Sequence, residues 1–362
     1  MIFGEGRILN IVRDPRIPDL PPDVREVEGF ICPGFVELQI NGSFGLNVGP
    51  DGEALKRLAR ELPKTGTTSF LPTLVSSPER TYPHFLDALS GVGEVPGARM
   101  LGAHLEGPFL SPLRKGAHDP ANLLPIDLGL IRTLAGSGLV SMMTLAPELP
   151  LAREAIRVLL ENGVVPSAGH TDATYEELVK IVDAGLGMGT HLYNAMSPLG
   201  HRAPGAVGAL LSNRRTRVGI IADGVHVHEA ALQIAYRQKG PDSLVLVTDA
   251  MEAAGMPEGE YELGDRKVRL EANVVRTPEG SLAGSVLTMD AALRNAAGFL
   301  NIPLHEALRM ITSTPAALLG LPARGKIAPG ADADLVVLSA EGEVLETLVA
   351  GRRAYGPPEG PA

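Results

Sequence analysis

Short apolar runs rich in β-branched residues alternate along the chain with amphipathic stretches of helical period, which is the pattern of repeated strand–helix units. The runs lie at residues 34–41, 68–74, 99–107, 139–148, 164–172, 188–196, 218–227 and 244–250. Between the fourth and fifth runs, Gly163 follows an amphipathic stretch and supplies a typical helix stop. Eight such units that close on themselves predict an α/β fold, a (β/α)8 TIM-like barrel.

The two ends of the chain do not follow this pattern. Residues 1–33 are rich in Pro and Asp with short strand-like pieces, and residues 325–362 alternate like antiparallel strands separated by turns. We therefore predict that both ends combine into a small β domain beside a barrel of residues 34–324. An insert near 260–277 has the pattern of a β-hairpin that follows the eighth strand.

Composition narrows the classes of function. The 362 residues carry a net charge of -10, which argues against the basic surface that nucleic acids or anionic membranes require. The single cysteine, Cys32, excludes an internal disulfide and favours a reducing compartment. Charges occur too early for a secretory signal, and no apolar run reaches the ~18 residues of a membrane-spanning helix. We expect a cytoplasmic protein with no nucleic-acid or membrane partner.

Polar residues collect at the ends of the predicted strands, where barrel enzymes carry their catalytic groups. Glu106, His170 and His191 belong to the third, fifth and sixth runs, and Asp249 closes the eighth. Two histidines and a carboxylate suit a catalytic divalent cation that keeps one position open for water. Taken singly, His170 and His191 are as readily hydrogen-bonded core or loop residues, and Asp249 is as readily a helix N-cap. Their joint placement favours a metal centre, with Asp249 moving a proton in amide or ester hydrolysis.

Three further groups of residues are candidates for binding or metal ligation. Arg202 precedes a helical pattern and is either an anion site or an exposed loop residue. His226 and His228 form an HxH pattern, of which we expect His226 to line a pocket and His228 to lie outside. Gln39 and Asn41 stand where many barrel hydrolases place two metal-binding histidines. Because amides are weak ligands, we predict one tightly held ion, with Gln39 at most holding a weaker second site or a water.

Seven motifs resemble, in their order along the chain, those of the N-acetylglucosamine-6-phosphate deacetylases of the amidohydrolase superfamily: HLEGPF, KGAHDP, GHTDA, THLYNAM, IADGVHV, VTDA and SLAGS. The resemblance extends from about Pro33 to the C-terminal PGADADLVVL. It implies a (β/α)8 barrel with a small β-sandwich built from both chain ends, usually as a homodimer. It also implies hydrolysis of N-acetylglucosamine 6-phosphate to glucosamine 6-phosphate and acetate. One departure is Asp119, where the family has Asn, and the neighbouring His118 is retained.

The resemblance implies roles for individual residues. Glu106, His170 and His191 would hold one divalent ion, Zn²⁺ with Fe²⁺ and Co²⁺ as alternatives, and Asp249 would be the general base and acid. Arg202 would reach the substrate phosphate in the partner subunit's site. The remaining substrate contacts would be Ala117, His118, Asn194, Ala195, His226, Leu282, Ala283 and Gly284.

Alternatives stay open at this point. The substrate could be N-acetylgalactosamine 6-phosphate instead, since the motifs do not determine the epimer. Another amidohydrolase of the cyclic-amide type is disfavoured, because the first strand lacks HxH and no Lys ends the fourth run. A non-catalytic barrel scaffold is disfavoured because the three metal-ligand candidates and Asp249 are retained together. The native metal, a weak second site near Gln39 and the strength of the dimer are not determined either.

Overall fold

The computed structural model describes residues 1–12 and 26–357, and in that part of the chain it contains twenty strands and ten α-helices. The strands are β1 (Ile2–Gly4), β2 (Arg7–Asn10), β3 (Phe30–Pro33), β4 (Phe35–Ile40), β5 (Gly42–Ser43), β6 (Leu46–Asn47), β7 (Thr67–Val75), β8 (Arg99–Met100), β9 (Ala103–Glu106), β10 (Val140–Leu145), β11 (Val165–Ala168), β12 (Met188–Gly189), β13 (Arg217–Ile220), β14 (Leu244–Leu246), β15 (Gly259–Leu263), β16 (Arg266–Glu271), β17 (Val274–Arg276), β18 (Leu335–Leu338), β19 (Val344–Val349) and β20 (Arg352–Tyr355). The helices are α1 (Gly52–Glu61), α2 (Thr81–Gly91), α3 (Leu128–Ala135), α4 (Ala152–Glu161), α5 (Tyr175–Val182), α6 (Gly205–Ser212), α7 (Glu229–Lys239), α8 (Met289–Leu300), α9 (Leu304–Arg309) and α10 (Ser313–Leu318).

Eight parallel strands form the barrel, with the neighbour order β4, β7, β9, β10, β11, β12, β13 and β14. The barrel closes where β4 meets the segment after β14. There the backbone N–H of Asn41 donates to the carbonyl of Ala250 at 2.7 Å, and that of Asp249 donates to Gln39 at 2.9 Å. Each of the eight predicted runs overlaps one of these strands. The predicted (β/α)8 barrel is therefore confirmed.

The barrel strands are buried on both faces, as expected for parallel strands covered by helices. All six residues of β4 are buried, and so are eight of the nine in β7. Four of the ten helices begin at a side-chain cap, α1, α3, α5 and α7, and the cap of α5 is a capping box between Thr174 and Glu177. In the described part of the chain, none of these helices has the length and apolar character needed to cross a bilayer. Because all eight strands are parallel, the loops after them meet on one side of the barrel.

A four-stranded antiparallel sheet combines both ends of the chain, in the order β20, β19, β18, β3. The hairpin β1–β2 is a separate sheet that bonds the segment before β18, where the N–H of Ile8 donates to the carbonyl of Ala331 at 2.9 Å, and Ile8 packs with Leu335 and Leu348 of the four-stranded sheet. Arg324, 12% exposed, pairs with Asp332 and Asp334 at 3.2 Å each, and links this sheet to the barrel by also bonding Ser69 of β7. The domain limits 1–33, 34–324 and 325–362 stay a prediction, and parts of the terminal ranges lie outside the described residues.

The insert after the eighth barrel strand contains three strands, whereas the sequence predicted a two-stranded hairpin. β15 pairs with β16 through a turn at Gly264, and β16 pairs with β17 through Ala272 and Asn273. Both residues of the second turn have positive φ, 49° and 61°, as two-residue hairpin turns require. Alanine gives no sequence signal for that conformation, so the second turn was missed.

Candidate active site

Three buried side chains meet at the ends of the barrel strands. Glu106 ends β9, and His170 and His191 follow β11 and β12. Oε1 of Glu106 lies 3.2 Å from Nε2 of His170 and 2.9 Å from Nε2 of His191, and the two Nε2 atoms are 3.0 Å apart. The structure thus brings the three predicted ligands together as a group that could hold a metal ion.

The backbone directs these side chains into the barrel mouth through an uncommon conformation. His170, His191 and Asp249 all have positive φ, at 47°, 31° and 49°. For residues other than glycine this conformation costs about 1–3 kcal/mol and persists only where the surroundings fix it. Backbone hydrogen bonds provide that support: the N–H of Ser111 donates to the carbonyl of His170, and the N–H of Asp249 donates to the carbonyl of Gln39, both at 2.9 Å.

The donor set fits a divalent cation. Nδ1–H of His170 donates to the carbonyl of Arg114 at 2.9 Å, so when Nε2 gives up its proton the lone pair that faces Glu106 can bind an ion. Burial lowers the pKa of His191, but its hydrogen bond to Glu106 and that carboxylate's charge outweigh burial and raise the pKa. Burial raises the pKa of Glu106, yet its two histidine contacts hold it well below its usual range. The three donors therefore favour a positive charge between them, as two imidazoles and a carboxylate do around Zn²⁺ or similar ions.

Gln39 and Asn41 face the carboxylates with their amide nitrogens. Nδ2 of Asn41 donates to Oδ1 of Asp249 at 2.7 Å, and Nε2 of Gln39 donates to the same oxygen at 3.2 Å and to Oε1 of Glu106 at 3.1 Å. The opposite amide orientation would place an oxygen against two carboxylates. The structure therefore uses these amides as hydrogen-bond donors. Oε1 of Gln39 and Oδ1 of Asn41 are buried and accept no hydrogen bond from the described residues, so the single tightly held ion stays a prediction that rests on the weakness of amide ligands.

Asp249 has the properties of a base that works near neutral pH. Its side chain is 9% exposed and lies on the wall of the cavity. Burial, followed by the negative charge of Glu106, raises the pKa of Asp249 to about 6. A carboxylate with this pKa is ionised at pH 7 and still accepts a proton readily.

His118 is held as a neutral donor beside the metal-ligand candidates. Burial, followed by the charge of His170, lowers the pKa of His118 to about 3. Nδ1 of His118 accepts the backbone N–H of Ser76 at 3.2 Å, so the proton of the neutral ring resides on Nε2. An Nε2–H directed away from Ser76 is suited to donate to a substrate oxygen.

A cavity of about 350 Å³ opens above this group. Two predicted residues lie elsewhere: Arg202 is exposed outside the cavity, and Ala283 is fully buried in the apolar cluster of the insert with Met251 and Val275. The other predicted substrate contacts line the cavity, namely Ala117, His118, Asn194, Ala195, His226, Leu282 and Gly284. His228 caps α7 instead, with Nδ1 accepting the N–H of Ala230 at 3.1 Å.

Comparison with known proteins places the chain in a family. The model of the amidohydrolase family matches residues 30–354. The chain belongs to this family. It is 38% identical over 341 residues to the N-acetylglucosamine-6-phosphate deacetylase of Lysinibacillus sphaericus, covering 91% of this chain and 87% of that protein. It is 40% identical over 342 residues to the N-acetylgalactosamine-6-phosphate deacetylase of Shewanella sp. (strain ANA-3), covering 92% and 85%.

Solved structures of amidohydrolases agree with this assignment. A mutant N-acetylglucosamine-6-phosphate deacetylase from Mycobacterium smegmatis, solved in complex with N-acetyl-D-glucosamine-6-phosphate, superposes with a TM-score of 0.89 at 34% identity and covers 97% of this chain and 93% of that one. The enzyme from Pasteurella multocida gives a TM-score of 0.91 at 31% identity, with 97% and 93% covered. At 31% and 34% identity, these similarities support membership of the same family and not only a shared fold.

Sequence reasoning missed several cavity residues of this amidohydrolase. Arg114 lies on the wall and bonds Asp172 at 2.7 Å, and Arg266 reaches the wall from the insert and bonds both oxygens of Glu279 at 2.7 Å. The only signal for Arg266 was its position directly after the turn of the predicted hairpin. Neither arginine belongs to a barrel strand, so the strand-end rule could not find them.

Proposed function

We propose that this amidohydrolase removes the N-acetyl group of N-acetylglucosamine 6-phosphate, giving glucosamine 6-phosphate and acetate for amino-sugar catabolism and cell-wall sugar recycling. The observation that supports this most is the buried group of Glu106, His170 and His191 with the Asp249 carboxylate on the same cavity wall. Relatives of matching length are named for this activity. The single cysteine, the buried Cys32, favours a reducing, cytoplasmic location.

One divalent ion would be held by Glu106, His170 and His191, and two imidazoles with a carboxylate suit Zn²⁺, Fe²⁺ or Co²⁺. When bound, such an ion polarises the amide carbonyl and lowers the pKa of water to near 7. Asp249 takes a proton from the attacking water and returns it to the leaving amine.

Asn41 and Gln39 donate hydrogen bonds to Oδ1 of Asp249, whereas no described side chain or backbone group bonds Oδ2. We therefore assign Oδ2 as the oxygen that carries the proton.

The pH dependence of the reaction follows from Asp249. Its pKa of about 6 means that the carboxylate is ionised above that value and protonated below it. We expect kcat/KM to be high at pH 7 and to fall about tenfold for each pH unit below about 6, because a protonated Asp249 accepts no proton. The measurement is a pH profile of kcat/KM with the metal content determined at each pH. A flat profile down to pH 4.5 at constant metal content would exclude Asp249 as the base.

The phosphate needs a cation that the cavity of one chain does not offer freely. Arg114 and Arg266 line the cavity but are paired with Asp172 and Glu279. Arg202 is exposed and lies outside its own cavity, which fits a role in the cavity of a partner subunit. We therefore infer a homodimer in which each Arg202 contacts the substrate phosphate of the other subunit.

Arg202→Ala tests this inference. We expect KM for N-acetylglucosamine 6-phosphate to rise about tenfold to a hundredfold, since a charge-assisted contact contributes ~1.5 to 3 kcal/mol. KM for unphosphorylated N-acetylglucosamine should stay near wild type, and Arg214→Ala, which removes another exposed arginine, should change neither value. Equal effects of Arg202→Ala on both sugars would remove its assignment to the phosphate.

The activity itself is tested by acetate release. N-acetylglucosamine 6-phosphate is the expected substrate, and N-acetylgalactosamine 6-phosphate is the second candidate because the relative from Shewanella carries that name. The ratio of kcat/KM for the two epimers decides between them. No acetate from either sugar, after loading with Zn²⁺, Fe²⁺ and Co²⁺ in turn, would reject the deacetylase and favour a non-catalytic scaffold.

A further inference from the structure

The loop after β13 holds an aspartate that binds its neighbours with both carboxylate oxygens. Oδ1 of Asp223 accepts the backbone N–H groups of Val225 and His226 at 2.9 and 2.7 Å. Oδ2 lies 2.6 Å from Nδ1 of His226. The His226 side chain is 7% exposed and belongs to the wall of the substrate cavity. The two oxygens of one carboxylate therefore serve two different purposes.

The turn itself needs only Oδ1. Asp51 and Asp127 make the same turn elsewhere, since Oδ1 of each accepts the N–H groups two and three residues later, at 2.7 to 3.2 Å. Asparagine supports such turns equally well, because its side-chain oxygen accepts the same bonds. What distinguishes Asp223 is the second, charged oxygen and the imidazole that it meets.

This contact determines which edge of the His226 ring faces the cavity. Nδ1 is engaged by Asp223, so Nε2 lies on the edge of the ring away from that carboxylate. No described residue bonds Nε2, and the side chain is almost fully buried, so the ring is open to partners only on the cavity side. Burial raises the pKa of Asp223, but the contacts with His226 outweigh it and lower the pKa, so the carboxylate stays charged.

We propose that Asp223 is a positioning residue of this site, whose Oδ2 fixes His226 with Nδ1–H towards the carboxylate and Nε2 towards an oxygen of the sugar-phosphate substrate. The substrate class rests on the proposed function, whereas the orientation of the ring does not. Asp223 touches no substrate itself and acts through His226 alone. Its removal should therefore weaken substrate binding more than the chemical step.

Asp223→Asn replaces the charged Oδ2 that meets His226 and keeps an oxygen for the two hydrogen bonds of the turn. We expect KM for N-acetylglucosamine 6-phosphate to rise about tenfold or more, as for the loss of an ionic hydrogen-bond acceptor, with kcat within about threefold of wild type. Asp127→Asn is the matched control, because it makes the same change in the same kind of turn at the start of α3, and it should leave both constants unchanged. A loss of kcat with KM unchanged would overturn the proposal.

A spectroscopic measurement on substrate-free, metal-loaded protein tests the ring directly. ¹⁵N labelling of the histidines, with His226 assigned by its absence in His226→Asn, should show Nδ1 protonated in wild type and in Asp127→Asn, and a changed Nδ1/Nε2 pattern in Asp223→Asn. Identical His226 signals in wild type and Asp223→Asn would overturn the proposal even if KM changed. If wild type releases no acetate, the proposed function fails, and the ring signals still decide the positioning by Asp223.

Discussion

We expect Asp249→Asn to lower kcat by about a thousandfold or more while the metal content stays near wild type. The amide keeps an oxygen that can accept the hydrogen bond from Asn41, but it has no basicity with which to take a proton from water. General base catalysis contributes about 10²- to 10⁴-fold, and in the proposed reaction the same group also returns the proton to the amine. Steady-state kinetics and metal analysis of the same preparation provide the measurement.

Asp51→Asn is the control for that experiment, because it removes a carboxylate at the N-cap of α1 outside the cavity, where Asn serves equally well. It should keep wild-type kcat and metal content. Loss of metal from Asp249→Asn would instead make Asp249 a ligand. Near-normal kcat with full metal content would show that the base is another residue.

We expect Glu106→Gln to weaken metal binding by more than about a hundredfold and to abolish acetate release. Glu106 is the only anionic member of the ligand group and is bonded to both histidines, so the neutral amide removes the charge that balances a divalent cation. Even the outer partners of metal ligands contribute ten- to a hundredfold to affinity, and a direct ligand should exceed that. Metal content after dialysis against a graded chelator gives the affinity.

The exposed Glu161, at the end of α4, offers a matched control for this variant. Glu161→Gln should retain wild-type affinity and activity. Unfolding temperatures of both variants distinguish loss of the ion from loss of the fold. Unchanged metal affinity in a folded Glu106→Gln would contradict the assignment of the metal centre.

The sequence was sufficient to predict the barrel and the four polar residues at its strand ends. Hydrophobic periodicity is local, and the topology of a closed parallel barrel then dictates that the ends of β9, β11, β12 and β14 meet. For this reason Glu106, His170, His191 and Asp249 could be named together before their distances were known.

The contacts that complete the site join residues that are far apart in the sequence and meet only when the barrel closes. Asn41 and Asp249 are 208 residues apart, and their hydrogen bond exists only because β4 meets the segment after β14. The direction in which an amide faces is not encoded in its neighbours, so the sequence indicates for Gln39 at most a weaker second site or a water, and not the hydrogen bonds that it donates to two carboxylates. The sequence Asp-Gly-Val-His is typical of an ordinary turn, so it does not indicate the contact between the second oxygen of Asp223 and His226.

The most direct test of the whole account is a metal titration of chelator-treated protein with acetate release from N-acetylglucosamine 6-phosphate as the readout. One ion held by Glu106, His170 and His191 predicts that activity rises in proportion to bound metal and reaches its plateau at one ion per chain. A plateau only at two ions per chain would contradict the single centre, and no acetate at any occupancy would contradict the proposed reaction.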